Sequence, residues 1–266
     1  MNRQTSEATN IILPVYADLE GKIAVVTGAS HGIGAETARL LAANGVKVVV
    51  NGRDQSAIDS VVKDIQSNGG EAFGFAADCT DFAALEKMRE KAESKFGAVE
   101  ILVAFAGGLG QPKPTSELDE DGWRKVVDVN LTAKFLTVKA FLPTMVEQQK
   151  GAVAIMSSTA ARHASLANAA YACAEAGANM LAKHLANEYG KDGIRFNCIM
   201  PSAIRSEWLE SVMNAEQILE LGKTFPLGRI GERIDVAQAT AFLVSDASAW
   251  ITGITLDIAG GRLITY

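Results

Sequence analysis

The sequence predicts an α/β protein built on a single doubly wound parallel sheet of about seven strands, with helices on both faces. Three observations predict it. Short β-branched runs alternate with longer segments of helical period, the signature of parallel strands joined by crossover helices. Those runs are almost wholly apolar, as strands covered on both faces must be. The first run is followed at once by a glycine-rich bend that opens a helix.

In chain order, the runs at 23–27, 46–51, 72–76, 101–104, 152–157, 195–200 and 254–258 are read as strands. The segments 34–44, 54–67, 81–96, 122–147, 167–189 and 235–245 space their apolar residues with helical period. The usual strand order of such sheets, 3-2-1-4-5-6, puts the first bend at the crevice where the chain reverses direction, and a nucleotide is expected there. Composition marks no linker, repeat or low-complexity tract, so residues 19–266 are read as one domain. Residues 1–18 precede the first strand as an extension without an identifiable partner.

The bend itself runs Thr-Gly-Ala-Ser-His-Gly-Ile-Gly over 27–34. Gly28, Gly32 and Gly34 have no Cβ, which lets the chain turn tightly and bring backbone N–H groups against a pyrophosphate at the positive end of the next helix. The spacing is G-x-x-x-G-x-G rather than the commoner G-x-G-x-x-G, and three glycines in eight residues also fit an ordinary loop.

Bulk properties exclude several classes. A net charge of -6 argues against a protein that binds a phosphate backbone, which needs a basic face. No apolar stretch approaches the roughly 18–20 residues that cross a bilayer. Residues 1–10 are polar and lack an apolar signal core, so a cytoplasmic location is expected. Cys79, Cys173 and Cys198 form no C-x-x-C pair, so reduced thiols and no metal site are expected.

With the glycine loop followed by Asn130, Ser158 and Tyr171, the sequence resembles the short-chain dehydrogenase/reductase family, in particular its 3-oxoacyl-[acyl-carrier-protein] reductase-like members, over about residues 20 to 261. The family keeps a Ser thirteen residues before a catalytic Tyr, the separation of Ser158 and Tyr171 here. The resemblance implies a Rossmann-type domain that transfers hydride between a nicotinamide and a small carbonyl/alcohol pair. Tyr171 would act as the acid/base on oxygen, and Ser158 would orient the substrate. Asn130, in the string Asp-Val-Asn-Leu, matches the family's Asn that kinks a helix and holds a water in the proton path. Its other reading is a helix-interior Asn facing a neighbouring carbonyl.

The resemblance also implies cofactor contacts from the loop residues Gly28, Ser30, His31, Gly32, Ile33 and Gly34. Asp78-Cys79 matches the family's Asp-Val/Leu pair, whose Asp meets the adenine amino group. Ala106-Gly107 matches the end of its N-N-A-G string, although Ala104 and Phe105 stand where the two Asn residues usually are. Pro201, Ile204 and Ser206 match P-G-x-V-x-T, with Ile204 holding the carboxamide by its backbone and Ser202 replacing a Gly.

After the second strand, Gly52 occupies the position where a carboxylate would pair with the ribose of NAD, and Arg53 follows. NADP is therefore expected over NAD, with Arg53 clamping the 2′-phosphate. Asp54 and His31 complicate that expectation: Asp54 could be a helix N-cap that points away, and His31 stands where NADP-preferring relatives often carry Arg or Lys.

The motif breaks at one point. The family reads Y-x-x-x-K and this chain reads Tyr171-Ala-Cys-Ala-Glu175. Charge at one helical turn from the phenol is worth on the order of 3 kcal/mol at an effective dielectric near 20, and an ionised carboxylate applies it with the opposite sign to lysine. Lys134, Arg162 and His163 are read as solvated or core-flanking, and Lys183 as too far up the helix to compensate. The other reading of Glu175 is a carboxyl held protonated by burial that serves as an acid itself. Three functions stay open: the redox enzyme, a cofactor-binding scaffold or sensor without catalysis, and non-redox chemistry in the same crevice. Ile218, Leu221 and Phe225 are read as one face of an amphipathic lid helix. The family implies a homotetramer or homodimer, for which the chain offers a small-residue face of Ala169, Ala172, Cys173, Ala176 and Gly177.

Overall fold

A computed structural model describes residues 14–164 and 167–262. Seven strands, β1 (Ile23–Thr27), β2 (Lys47–Gly52), β3 (Ala72–Ala76), β4 (Ile101–Ala104), β5 (Gly151–Met156), β6 (Ile194–Pro201) and β7 (Thr255–Ile258), form one sheet in the order β3-β2-β1-β4-β5-β6-β7. All pairings are parallel, with Val25 opposite Val49 and Val26 opposite Val103 in register. Alternate residues point to opposite faces and both faces are buried, which is why these strands read as unbroken apolar runs. Ala24, Val26, Val48, Val50 and Val103 pack on one side against α1 (Gly32–Ala43), α2 (Gln55–Ser67) and α9 (Arg233–Val244). Val25, Val49, Leu102, Val153 and Ile155 pack on the other against α3 (Phe82–Phe96), α5 (Ala133–Gln148) and α6 (Ala169–Tyr189).

Polar residues set the helix starts. Asp54, Asp81 and Asn168 accept hydrogen bonds from the third backbone N–H of α2, α3 and α6, and Asp119 does the same for α4 (Glu120–Val127). Asp54 is thus a helix cap, which engages one of its oxygens away from the end of β2.

Three expectations are corrected. The segment 122–147 is not one helix: α4 and α5 are separated by a π turn over Asp128–Thr132, which widens the coil by a residue. Second, part of the extension has a partner. Tyr16 donates its N–H to Asn44 Oδ1 at 2.7 Å, Asn44 donates back to the Pro14 carbonyl at 3.2 Å, and Leu19 is fully buried. Residues 1–13 lie outside the described residues. Third, the apolar stretch after β6 forms two helices, α7 (Glu207–Val212) and α8 (Ala215–Lys223), and Phe225 lies beyond the second. Ile218 and Phe225 bury themselves with Leu209 and Ile230 in a small cluster of their own. Among the described residues, no helix is long and apolar enough to cross a membrane.

Candidate active site

The carboxyl ends of β1, β2 and β4 open onto a cavity of about 480 Å³. The bend after β1 forms one wall, with Gly28, Ser30 and His31 lining it. Gly28 holds a left-handed φ of +65°, and a Cβ there would stand 2.8 Å from the Phe105 carbonyl oxygen. A Cβ on Gly34 would collide with the Gly28 carbonyl. The bend is therefore folded tightly on itself and on β4, and it delivers the chain into the N-terminus of α1 at Gly32. Ile33 lies in the first turn of that helix and packs against the core.

The other end of the cavity is lined by Gly52, Arg53, Asp78 and Cys79. Asp78 accepts from Thr80 N at 2.9 Å and Thr80 Oγ1 at 2.8 Å, and these bonds, helped by the nearby Arg53, hold its carboxyl below the usual carboxylate range. Cys79 is buried and donates to Asn51 Oδ1, and burial pushes its thiol up to about 11. Asn51 in turn donates to the Phe75 and Ala77 carbonyls, which ties β2 to the chain after β3.

Ala106 and Gly107 line the cavity on the β4 side. Their placement depends on Thr27, whose buried hydroxyl accepts from Phe105 N at 3.1 Å and Ala106 N at 3.2 Å. It depends equally on Asn130, which accepts from Gly108 N at 2.9 Å and donates to Gly108 O at 2.8 Å and Val126 O at 2.9 Å. The π turn that carries Asn130 brings its side chain against this loop, and one of its bonds does reach a neighbouring helix carbonyl.

Ser158 and Tyr171 do not themselves line the cavity, and the Ser158 side chain lies near enough to the Tyr171 phenol to oppose the rise in its pKa. Ser158 follows β5 and caps the short turn Thr159–Ala161. Tyr171 sits in the first turn of α6 and donates its backbone N–H to Asn168. Asn168 also donates to the Gln111 carbonyl and lines the cavity, so it couples the cavity wall to the helix that bears the phenol. Burial, then the Glu175 carboxylate, push the Tyr171 phenol well above its ordinary value, while Ser158 opposes them.

Glu175 is 2% exposed, one turn below Tyr171. Lys134, expected to be solvated or core-flanking, is 1% exposed and places Nζ 3.0 and 2.9 Å from the two Glu175 oxygens. Burial pushes the Glu175 carboxyl up and Lys134 opposes it. Arg162 instead pairs with Asp257 at 3.0 and 2.8 Å on the surface, and His163 is exposed.

Not every candidate comes together. Pro201 ends β6, Ile204 bridges to Gly231, and Ser206 caps α7, and these three do not line the cavity. The small-residue face of α6 is partly used within the chain, since a Cβ on Gly177 would meet Leu131 at 2.8 Å. Thr27, Asn51, Asn168 and Lys134 are structural members of the site that motif reading passes over. Lys134 has a signal of its own: it shares a stripe with Thr137, Val138, Phe141 and Met145, all buried.

The chain can be set beside known proteins. A family model described as short chain dehydrogenase matches residues 22–217. The 7alpha-hydroxysteroid dehydrogenase of Escherichia coli is 35% identical over 243 residues, 91% of this chain and 94% of that protein. The 3-oxoacyl-[acyl-carrier-protein] reductase of Synechocystis is 36% identical over 248 residues, 92% of this chain and 98% of that one. A solved 7 alpha-hydroxysteroid dehydrogenase complexed with NADH and 7-oxo glycochenodeoxycholic acid superposes with a TM-score of 0.88 at 35% identity, covering 92% of this chain and 96% of its own.

Proposed function

The chain belongs to the short-chain dehydrogenase family, and from that premise we propose that it is an NADP(H)-dependent oxidoreductase that reduces a carbonyl, or oxidises an alcohol, by hydride transfer. The observation that carries the reading is the closeness of Ser158 to the Tyr171 phenol, on a helix whose cap, Asn168, lines a cavity at the carboxyl ends of the strands.

The residues present fit a dinucleotide. The cavity is lined both by the glycine bend at a helix N-terminus and by the chain just after β2 and β3, and Gly28 and Gly34 put no side chain into the bend. When bound, the nicotinamide supplies or accepts the hydride. The bend residues Gly28, Ser30, His31, Gly32, Ile33 and Gly34 hold the diphosphate, through backbone N–H groups at the positive end of α1. Asp78 and Cys79 border the adenine, and Ala106 and Gly107 pack against the middle of the dinucleotide. The family resemblance would put Pro201, Ile204 and Ser206 near the carboxamide, although none of the three lines this cavity. Arg53 takes the 2′-phosphate, with Asp54 committed to capping α2 and Asp78 the carboxylate whose charge it already feels.

Tyr171 Oη gives its proton to the substrate oxygen in reduction, and Ser158 Oγ donates a hydrogen bond that fixes that oxygen. Asn130 keeps the loop at Gly108 in place beside them. The hydroxysteroid dehydrogenase and the oxoacyl reductase share an alcohol/carbonyl pair in their names, and a small or medium substrate of that class is the expected one. Trp250, fully exposed, and the exposed Phe135 and Met180 support assembly into a homotetramer or homodimer.

Turnover of a panel of ketones and 3-oxoacyl thioesters with NADPH and, in parallel, NADH tests the proposal. Tyr171→Phe is expected to lower the rate by about 10²–10⁴. If the NADPH absorbance stays constant with every substrate while calorimetry detects cofactor binding, the second reading stands: a cofactor-binding scaffold or sensor, favoured by the carboxylate of Glu175 beneath the phenol.

A further inference from the structure

Lys134 and Glu175 come from different helices, α5 and α6, 41 positions apart in sequence, and meet in an interior from which both are almost wholly excluded from water. Two buried charges with this geometry act as one neutral unit, because either alone would cost far more than the pair. Glu175 is anchored in addition through its backbone carbonyl, which accepts from Ser157 Oγ at 3.1 Å. The carboxylate therefore has a fixed place one helical turn from Tyr171, and its charge acts on the phenol.

We propose that Lys134 is a positioning residue of the site: its ammonium, gripped by both oxygens of Glu175, balances the carboxylate below Tyr171 and leaves the phenol as a proton donor. The inference deepens the reading of the site as a redox centre and rests on it for its catalytic meaning. A cation at position 175 would favour tyrosinate, the form that removes a proton from an alcohol. A balanced pair whose negative member is the one on the phenol's own helix favours the protonated form, which suits carbonyl reduction. In that direction, hydride from a reduced nicotinamide forms the new C–H bond, the carbonyl π pair moves onto oxygen, and the Tyr171 O–H breaks to protonate it. The cofactor is oxidised, the carbonyl is reduced, and solvent returns the proton to Tyr171.

Among the described residues, the groups acting on the phenol are Glu175 on its own helix and Ser158 from the turn after β5. Cys198, on β6, faces both members of the pair and also feels Lys183, but burial pushes its thiol up to about 12, so it stays neutral. The charge that matters at Tyr171 is therefore the pair's.

Two double variants keep the interior balanced and so separate charge from folding. Lys134→Met with Glu175→Gln removes both charges, and Lys134→Glu with Glu175→Lys reverses them. The readout is the carbon-13 signal of the Tyr171 ring carbon bonded to oxygen, assigned by its loss in Tyr171→Phe and followed against pH without cofactor or substrate. The native signal is expected not to move up to about pH 11, the neutral pair to titrate lower, and the reversed pair lowest, about one to two pH units below the native protein. In turnover, the reversed pair should raise alcohol oxidation relative to carbonyl reduction by roughly tenfold. Identical Tyr171 titrations in all three folded proteins would overturn the proposal. Absence of turnover in all three would instead overturn the redox reading, with the titration still deciding the role of Lys134.

Discussion

Gly28→Ala and Gly32→Ala separate two costs that a glycine bend carries. Both residues hold left-handed backbone, with φ of +65° and +61°. An Ala at either meets the steric penalty of that region, about 1–2 kcal/mol, less roughly 0.4–1 kcal/mol recovered from a stiffer unfolded chain. Their surroundings differ. A Cβ on Gly28 would stand 2.8 Å from Phe105 O and 2.9 Å from Ala106 N, whereas nothing lies within 4 Å of one on Gly32. The Phe105 and Ala106 amides cannot yield easily, since both donate to Thr27 Oγ1 at the end of a strand paired on each side. Forcing an atom against such backbone costs about 1–3 kcal/mol more. Gly28→Ala should therefore lose about 2–4 kcal/mol and Gly32→Ala about 1 kcal/mol or less. In a chain of this length that difference, about 1–3 kcal/mol, separates the two melting temperatures by about 2–12 °C. Thermal and urea denaturation of the two variants beside the native protein measures it. Equal losses would refute the assignment of the cost to the contact between the bend and β4.

Other outcomes follow from the same geometry. Thr27→Val keeps the volume but strands the N–H groups of Phe105 and Ala106, and the urea midpoint should fall by the equivalent of about 2–4 kcal/mol with an unchanged slope. Asp235 accepts from Arg229 at 2.6 and 3.0 Å and from Glu232 N at 2.7 Å, and the Arg229 bonds hold its carboxyl below the usual range. Its stabilising effect is therefore present above the ordinary carboxylate value and is lost as pH falls through the depressed one. Asp235→Asn should flatten the decline of stability between about pH 5 and pH 3, and an unaltered pH profile would count against the linkage. Arg53→Ala should reduce the preference for NADPH over NADH by about 10- to 100-fold, the value of one or two charged hydrogen bonds. Calorimetric affinities for both cofactors check it, and an unchanged ratio would remove Arg53 from the phosphate site.

The sheet was legible because burial on both faces leaves an apolar run that period alone identifies. All seven predicted runs fall within one residue of the observed strand at each end, and those of β1, β3 and β4 coincide with it. Helix starts were legible where Asp or Asn precedes the apolar period, as at Asp54 and Asp81. The π turn was hidden because one added residue leaves the apolar spacing on either side intact, so 122–147 reads as a continuous helix. The strap at Pro14 and Tyr16 was hidden for another reason. Its partner, Asn44, lies 28 positions from Tyr16, and no local pattern announces a hydrogen bond made at that range. Within the site, Tyr171, Ser158 and Asn130 are nominated by motif spacing, and the fold brings the Ser158 side chain near the Tyr171 phenol. The consequence of Glu175 could not be worked out from its own position. It depends on a lysine of another helix, and only the fold brings the two side chains to hydrogen-bonding distance.

The wide coil at Asp128–Thr132 works as a gear setting between two rods. Each residue of an α-helix advances the azimuth by about 100°, so trimming one residue from this splice would spin the downstream rod by more than a quarter of a revolution. Lys134 would swing off Glu175, and an aliphatic neighbour would rotate into the pocket meant for an ammonium. Insertions and deletions at 128–132 should thus be felt as electrostatic faults in the interior rather than as local loosening, and the phasing of a single helical junction decides whether that carboxylate has a counterion at all.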